Sequence, residues 1–134
     1  MVEVGGLWEL GWSAPLTELT QWEMVMRSFG VERLNMAPVS GIDKRWVYEY
    51  PTMEALLEDR VNLTQVFVDE SGEQEVFEYQ HPQDALYIFG KATYSPFSSL
   101  AKDKVSLRID CLKMGMLWPH QALAIVLHDR HSKL

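Results

Sequence analysis

The histidines near the carboxyl end are the residues whose spacing most suggests a chemical role. His128 and His131 stand three positions apart with Asp129 between them, a spacing that suits two ligands of one metal ion on a helix. No third ligand follows, because the sequence ends three residues after His131. We therefore expect a solvated helix end here and no metal.

A second concentration of ionisable groups lies in the middle of the chain. Four glutamates are crowded around one predicted turn, at Glu70, Glu73, Glu75 and Glu78. Paired carboxylates can act as acid and base, but a run of like charges is more typical of a solvated rim. Neither the histidines nor the glutamates form a complete catalytic site. The position of a site must therefore be inferred from the predicted strands and helices.

Composition indicates one ordinary globular domain over residues 1–134. Hydrophobic residues make up 47% of the chain and charged residues 23%, a mixture that excludes disordered and fibrous classes. The single cysteine, Cys111, cannot form an internal disulfide, so the sequence does not require an oxidising compartment. No apolar run approaches the ~20 residues of a membrane helix. We expect a cytoplasmic protein without a membrane partner.

The net charge of −7 is unusual for a nucleic-acid binder, but the charge is unevenly distributed. Residues 1–90 hold five Lys and Arg against sixteen Asp and Glu, a balance of −11. Residues 91–134 hold seven against three, a balance of +4. The positive part is either a surface for a polyanion or a chance fluctuation over a short stretch.

Strand and helix patterns alternate along the chain, which predicts an α/β architecture with a largely parallel sheet. Apolar residues at Leu19, Trp22, Met26 and Phe29 form one helical stripe that ends at Gly30. Helices are predicted at 15–29, at 52–59 and from 119 to about 130, with a short one after a polar loop at 91–99. Strands are predicted at 3–10, 31–39, 45–50, 63–68, 85–89 and 105–110, and residues 75–79 are predicted as an extended edge segment.

The last fifty residues carry the most specific pattern. A buried strand at 84–89 leads to Gly90, a second strand spans 105–110, and a loop through Gly115 and Leu117 opens an apolar helix. This order resembles the cofactor-binding end of the SpoU-type RNA ribose methyltransferases of the SPOUT superfamily. The resemblance implies a SPOUT-like α/β knot: a mostly parallel sheet with helices on both faces and a trefoil knot within about residues 84–130.

The resemblance also implies S-adenosylmethionine as cofactor and tRNA or rRNA as substrate. Residues implied to frame the cofactor are Val68, Gly90, Ile109, Met116 and Leu117, largely through backbone and apolar groups. Two family motifs are altered, however. The Gly-x-Glu motif reads Gly90-Lys91-Ala92, and the Ser-Leu-Asn motif reads Met116-Leu117-Trp118.

The family's catalytic Asn and Arg fall on Glu18 and Met24, and a Met side chain has neither charge nor donor. Arg27, one helical turn after Met24, is a candidate for catalysis and RNA binding, or else a solvated residue that complements the helix dipole. His120 is either a replacement acid or base or a structural histidine. Further candidate RNA contacts are Lys91 and Trp118, although Trp118 could instead pack in an interface.

Two classes of function follow. The first is a minimal S-adenosylmethionine-dependent RNA ribose 2′-O-methyltransferase with substituted catalytic residues. The second is a non-catalytic SPOUT-fold dimer that acts as an RNA-binding or protein-interaction module. The near-continuous apolar run from Ala122 to Leu127 predicts a homodimer that buries Ala122, Ile125 and Val126 between subunits.

Overall fold

The protein is built on a twisted sheet of parallel strands. The computed structural model describes residues 1–8, 15–90, 100, 103–110 and 117–134. Within these residues the strands lie in the order β3-β2-β1-β6-β4-β7-β5, and every neighbouring pair is parallel. Their bounds are Val2–Leu7 (β1), Leu34–Ala37 (β2), Val47–Glu49 (β3), Thr64–Val68 (β4), Gln74–Glu75 (β5), Ala85–Phe89 (β6) and Val105–Arg108 (β7). The predicted parallel α/β sheet is confirmed.

Helices cover both faces of this sheet, as predicted. Helix α1 spans Pro15–Ser28, α2 spans Met53–Asp59 and α3 spans Pro119–Lys133. Helices α1 and α3 share one hydrophobic core with one face of the sheet, whereas α2 contributes to a second core on the opposite face. The two-sided covering explains why β6 is buried along its whole length.

Helix ends follow the local signals in the sequence. Gly30 adopts a left-handed conformation with φ of 70°, and the Val31 amide donates to the Met26 carbonyl at 3.0 Å, which closes α1. At the start of α2, the Thr52 hydroxyl accepts from the Ala55 amide at 3.1 Å. Because Val31 belongs to the helix cap and Pro38 lacks an N–H, the strand predicted at 31–39 is confined to Leu34–Ala37.

The prediction for residues 75–79 is wrong for most of that segment. Only Gln74–Glu75 pairs with β7, at the edge of the sheet, and Val76–Glu78 forms a 3₁₀ turn. The Glu75 side chain accepts from the Phe77 amide at 2.9 Å and stabilises this turn. The short helix predicted after residue 99 and the loops that would form the knot lie mostly outside the described residues, so the knot stays a prediction.

Helix α3 buries one side against its own sheet, so only part of its apolar surface is free. Leu123, Val126 and Leu127 are buried within the chain, and Val126 has no exposed surface. Val126 therefore cannot contribute to an interface between subunits, and that part of the dimer prediction is wrong. Ala122 and Ile125 are only partly buried and remain available at the surface.

In the part of the chain that the structure describes, no helix is long and apolar enough to span a membrane.

Candidate functional site

Three of the predicted cofactor residues meet at the carboxyl edge of the sheet. Val68 ends β4 and pairs with Phe89 on β6 and with Leu107 on β7. Gly90 directly follows Phe89, and Ile109 lies two residues beyond Leu107, so all three positions leave neighbouring strands in the same direction. Val68 and Ile109 are buried, and Gly90 is partly exposed. This edge of the sheet therefore places apolar side chains next to the backbone of a glycine, an arrangement that suits a ligand.

Leu117 packs against the core that α1 and α3 share with the sheet. Trp118 follows it and caps α3, where its backbone N–H donates to Oε1 of Gln121 at 2.9 Å. Trp118 is 46% exposed, which leaves its ring available for stacking. Met116 and Lys91, also predicted as site residues, lie outside the described part of the chain.

A second feature of this edge is the crevice between β1 and β6. After β1 the chain proceeds to β2 on one side, and after β6 it proceeds to β7 on the other. In open α/β sheets, ligands bind beyond the carboxyl ends of the strands at such a topological switch point. Gly90 belongs both to this crevice and to the edge formed by β6, β4 and β7, so both descriptions converge on one region.

The β1 side of the crevice is anchored by a partly buried carboxylate. Trp8 follows β1, and its indole N–H donates to Glu49 Oε2 at 3.0 Å. The Ser40, Gly41 and Ile42 backbone amides also donate to the Glu49 carboxylate, at 2.7, 3.0 and 2.9 Å. Burial opposes ionisation of Glu49, but these bonds and the Ser40 hydroxyl lower its pKa. The sequence did not predict this anchor, because no local pattern brings Trp8 to Glu49, 41 residues away.

His120 lies in the first turn of α3 and faces α1. Its ring centroid is 6.3 Å from that of Trp22 and 6.3 Å from that of Trp118. Burial lowers the pKa of His120, and the negative charge of Glu18 opposes that shift. Glu18 is itself buried, at 2% exposure. Glu18 occupies the position at which the family resemblance implies an Asn. The structure thus brings Glu18 close to the first turn of α3.

Arg27 and Met24 do not join this group. Arg27 is largely exposed, and its Nε lies 3.3 Å from Oε1 of Glu23 on the same helix. It follows Glu18 by nine residues, which is about 14 Å along a helix axis. Met24 is 68% exposed. Of the two candidate catalytic residues, only His120 lies beside another ionisable group implicated by the sequence.

Two cavities lined by described residues lie elsewhere. One of about 300 Å³ opens at the amino edge of the sheet, beside Asp59, Arg60 and Asp84. Another of about 220 Å³ is lined by Met26, Arg27 and Trp46 near the end of α1. Neither contains Val68, Gly90 or Ile109. We favour the carboxyl edge because Val68, Gly90 and Ile109 leave neighbouring parallel strands there.

Two basic residues of the positive carboxyl-terminal part serve the fold itself. Arg130 donates to the carbonyls of Pro82 and Gln83, and Lys133 donates to the carbonyls of Val76, Phe77 and Tyr79. These bonds tie α3 to the segment before β6.

Among the described residues there is no group of three or more His, Cys, Asp or Glu side chains arranged to hold a metal.

Comparison with solved structures places this architecture in a known group. A putative RNA methyltransferase from Bacillus anthracis superposes with a TM-score of 0.76 at 14% identity, over 99% of this chain and 94% of that one. The SpoU methyltransferase AviRb from Streptomyces viridochromogenes, solved with AdoMet, gives 0.73 at 14% identity, over 98% and 57% of the two chains. This chain has a SPOUT-type fold. The SPOUT-like α/β fold predicted from the sequence is thereby confirmed, and its knot stays a prediction.

A further similar structure comes from work on 2-OH methylation of C/U34 on tRNA. It superposes with a TM-score of 0.75 at 15% identity, over 99% of this chain and 95% of that one. The present chain therefore spans nearly the full length of two of these proteins but little more than half of AviRb. No protein-family model matches the sequence, and no curated protein matches it. The similarity between this chain and these proteins is therefore a similarity of fold.

Proposed function

We propose that this protein is an S-adenosylmethionine-dependent RNA methyltransferase that acts on a ribose 2′-hydroxyl. The observation that carries the proposal is the convergence of Val68, Gly90 and Ile109 at the carboxyl edge of a SPOUT-type sheet. These residues suit an adenosine, because buried apolar side chains can enclose the ring and a glycine lets a ligand approach the backbone closely. Leu117 would extend the apolar surface from the α3 side.

The cofactor would supply an activated methyl group bonded to a positively charged sulfur. The protein's own contribution would be to exclude water from the apolar edge and to hold the ribose hydroxyl in line with that methyl group. Trp118 supports RNA as the acceptor, because an exposed indole can stack on an unpaired base, a contact worth about 1–3 kcal/mol. Lys91 and Arg27 are further candidate RNA contacts.

We also propose that the active form is a homodimer. Helix α3 packs against α1, and their outward residues include the exposed Met24 and the partly exposed Ala122 and Ile125. An interface over these helices would cover apolar side chains that a single chain leaves in contact with water. Stable homodimers of this kind typically bury about 2,000 Å² or more in total.

A second candidate is a non-catalytic SPOUT-fold dimer that binds RNA or another protein. The exposed Met24 favours it, because this apolar residue stands at the position where the family resemblance implies a catalytic Arg. Both candidates share the fold, so fold alone does not decide between them. Transfer of a methyl group to RNA is the property that separates them.

The test is methyl transfer from tritiated S-adenosylmethionine to unmodified RNA, using in vitro transcribed tRNA and rRNA pools. Incorporation into RNA that resists alkaline hydrolysis at the modified nucleotide would support ribose 2′-O-methylation, because alkaline cleavage requires a free 2′-hydroxyl. Cofactor binding without incorporation into either pool would favour the non-catalytic candidate. The resemblance implies an Arg at position 24 and a Glu at position 92, where this chain has Met24 and Ala92. We therefore expect methyl transfer to be slow.

A further inference from the structure

Three side chains gather where α1 passes the head of α3. Glu18 and Trp22 are one helical turn apart on the buried face of α1, with 2% and 0% of their surface exposed. His120 approaches from α3, with its ring edge-on to the Trp22 indole at 6.3 Å between centroids. The group therefore combines a carboxylate, an indole N–H and an imidazole contributed by two different helices.

This group lies beside the switch point of the sheet. The Trp22 ring is in edge contact with Phe89, the last residue of β6, at 6.0 Å between centroids. A Cβ placed on Gly6, near the end of β1, would lie 3.7 Å from Cη2 of Trp22. Trp22 thus lies against the carboxyl ends of β1 and β6, and the same ring contacts His120 on α3.

One polar atom of the group has no partner within it. Trp22 Nε1 is buried and makes no hydrogen bond to any acceptor among the described residues. Nearly all buried N–H groups in proteins are paired. An oxygen-bearing ligand that entered between α1 and α3 would provide the missing acceptor, and a ribose carries several such oxygens.

The electrostatics of the group suit proton transfer. Burial favours the neutral, basic form of His120, and the Glu18 carboxylate favours the imidazolium that would form when the ring accepts a proton. Among the described groups, Glu18 is the one whose charge acts on His120. A neutral imidazole near a carboxylate is a recurring arrangement for a general base. Met24 and the exposed Arg27 offer no comparable base.

We propose that His120 is the general base of the methyl transfer and that Glu18 is its positioning residue. This inference rests on the function proposed above. His120 would accept the proton of the ribose 2′-hydroxyl while the hydroxyl oxygen forms a bond to the cofactor methyl carbon. The carbon–sulfur bond breaks, its electron pair stays on sulfur, and S-adenosylhomocysteine and methylated RNA are the products. His120 then releases the proton to solvent.

The first test measures the Glu18–His120 coupling without turnover. Histidine ring protons are titrated by NMR in the wild-type protein and in Glu18→Gln, with the exposed His128 as internal reference. We expect Glu18→Gln to lower the pKa of His120, because the variant removes the negative charge that opposes the effect of burial. An unchanged His120 pKa in a folded Glu18→Gln protein would overturn the positioning role of Glu18.

The second test measures catalysis. His120→Gln should reduce kcat for methylation of unmodified tRNA or rRNA transcripts on the order of 100-fold. Affinity for S-adenosylmethionine should stay within about threefold of wild type, and His128→Gln on the exposed face of α3 serves as the matched control. Glu18→Gln should move the pH profile of kcat/KM to lower pH. His120→Asn provides a second variant should the first fail to fold.

The outcomes separate this inference from the proposed function. Wild-type methylation that survives in folded His120→Gln and His120→Asn overturns the inference and leaves the methyltransferase proposal intact. A wild-type protein that neither binds the cofactor nor methylates either RNA pool overturns both.

Discussion

The Nε2 of His81 lies 2.7 Å from Oδ2 of Asp129, and both side chains are buried between α3 and β6. On the other side of the ring, Nδ1 of His81 lies 2.6 Å from the Tyr87 hydroxyl. Lys133 also contacts Asp129, at 2.8 Å. A neutral His81 satisfies this arrangement, because Nε2–H can donate to Asp129 while Nδ1 accepts from Tyr87. The network joins the end of α3 to the sheet.

We predict that stability falls as the pH is lowered from about 6.5, the ordinary histidine value. Burial lowers the pKa of His81, and Asp129 only partly opposes this, so the unfolded chain binds a proton on this residue at a higher pH than the folded chain. Stability is therefore fully present above the unfolded pKa and is lost below it. Urea unfolding at pH 7.5 and pH 5.5 measures the effect.

His120 contributes a pH effect of the same sign, because burial also lowers its pKa. The comparison should therefore be repeated in His120→Gln, where the remaining dependence would come from His81. A His120→Gln protein equally stable at both pH values would contradict the assignment to His81.

Replacing Asp129 with Ala should destabilise the fold by about 1–3 kcal/mol, because His81 and Lys133 would lose their shared buried acceptor. His131→Ala, an exposed change two residues later, is the matched control and should be close to neutral. Chemical denaturation of the three proteins provides the comparison. Equal stability of Asp129→Ala and the control would show that the network contributes nothing.

Replacing Glu49 with Ala should cost about 1.5–3 kcal/mol, since the Ser40, Gly41 and Ile42 amides would lose a charged acceptor. Glu58, exposed on α2, is the matched control. Thermal unfolding of Glu49→Ala and Glu58→Ala reports the difference. Near-UV circular dichroism should also change in Glu49→Ala, because Trp8 loses its hydrogen bond; an unaltered spectrum would argue against that contact.

Gly72→Ala should be strongly destabilising or fail to fold. A Cβ at Gly72 would overlap the backbone of Leu107 in β7, and backbone atoms cannot move aside as a flexible side chain can. Gly5→Ala is the control, because its Cβ would meet neighbouring atoms at 3.5 Å or more. A Gly72→Ala protein as stable as Gly5→Ala would mean that β5 and β7 are not packed as described.

The dimer is tested by two neighbouring residues with different surroundings. Ile125→Asp should dissociate the proposed homodimer into folded monomers, because Ile125 is only partly buried within the chain. Val126→Asp should unfold the chain, since it would place an unpaired charge in the core. Light scattering with circular dichroism distinguishes the two results. Wild-type protein that is monomeric at micromolar concentration would rule the dimer out.

The elements that could be predicted from the sequence are those set by local signals. Gly30 and Thr52 mark helix ends through their own backbone and side-chain chemistry, and the stripe through Trp22 and Met26 identifies the buried face of α1. The strand order and the 3₁₀ turn after Glu75 were not predictable in this way. Strand order depends on pairings between distant segments, and the turn depends on one side-chain hydrogen bond.

The candidate site was predictable only in part, for the same reason. Val68, Gly90 and Ile109 each follow a predicted strand, so their meeting at one edge could be expected from parallel pairing. The approach of His120 to Glu18 required the packing of α3 against α1, which no local pattern encodes. Val126 was misjudged because an apolar helix run does not reveal which side faces its own sheet.

Calorimetric titration with S-adenosylmethionine tests the central claim most directly. The wild-type protein should bind one cofactor per chain, and Gly90→Val at the carboxyl edge should abolish that binding, because a side chain there would keep the ligand from the backbone. Val61→Asp, at an exposed position near the amino end of β4, should not. Wild-type protein that gives neither binding heat nor a thermal shift at millimolar cofactor would contradict the account, as would a folded Gly90→Val protein that binds as tightly as wild type.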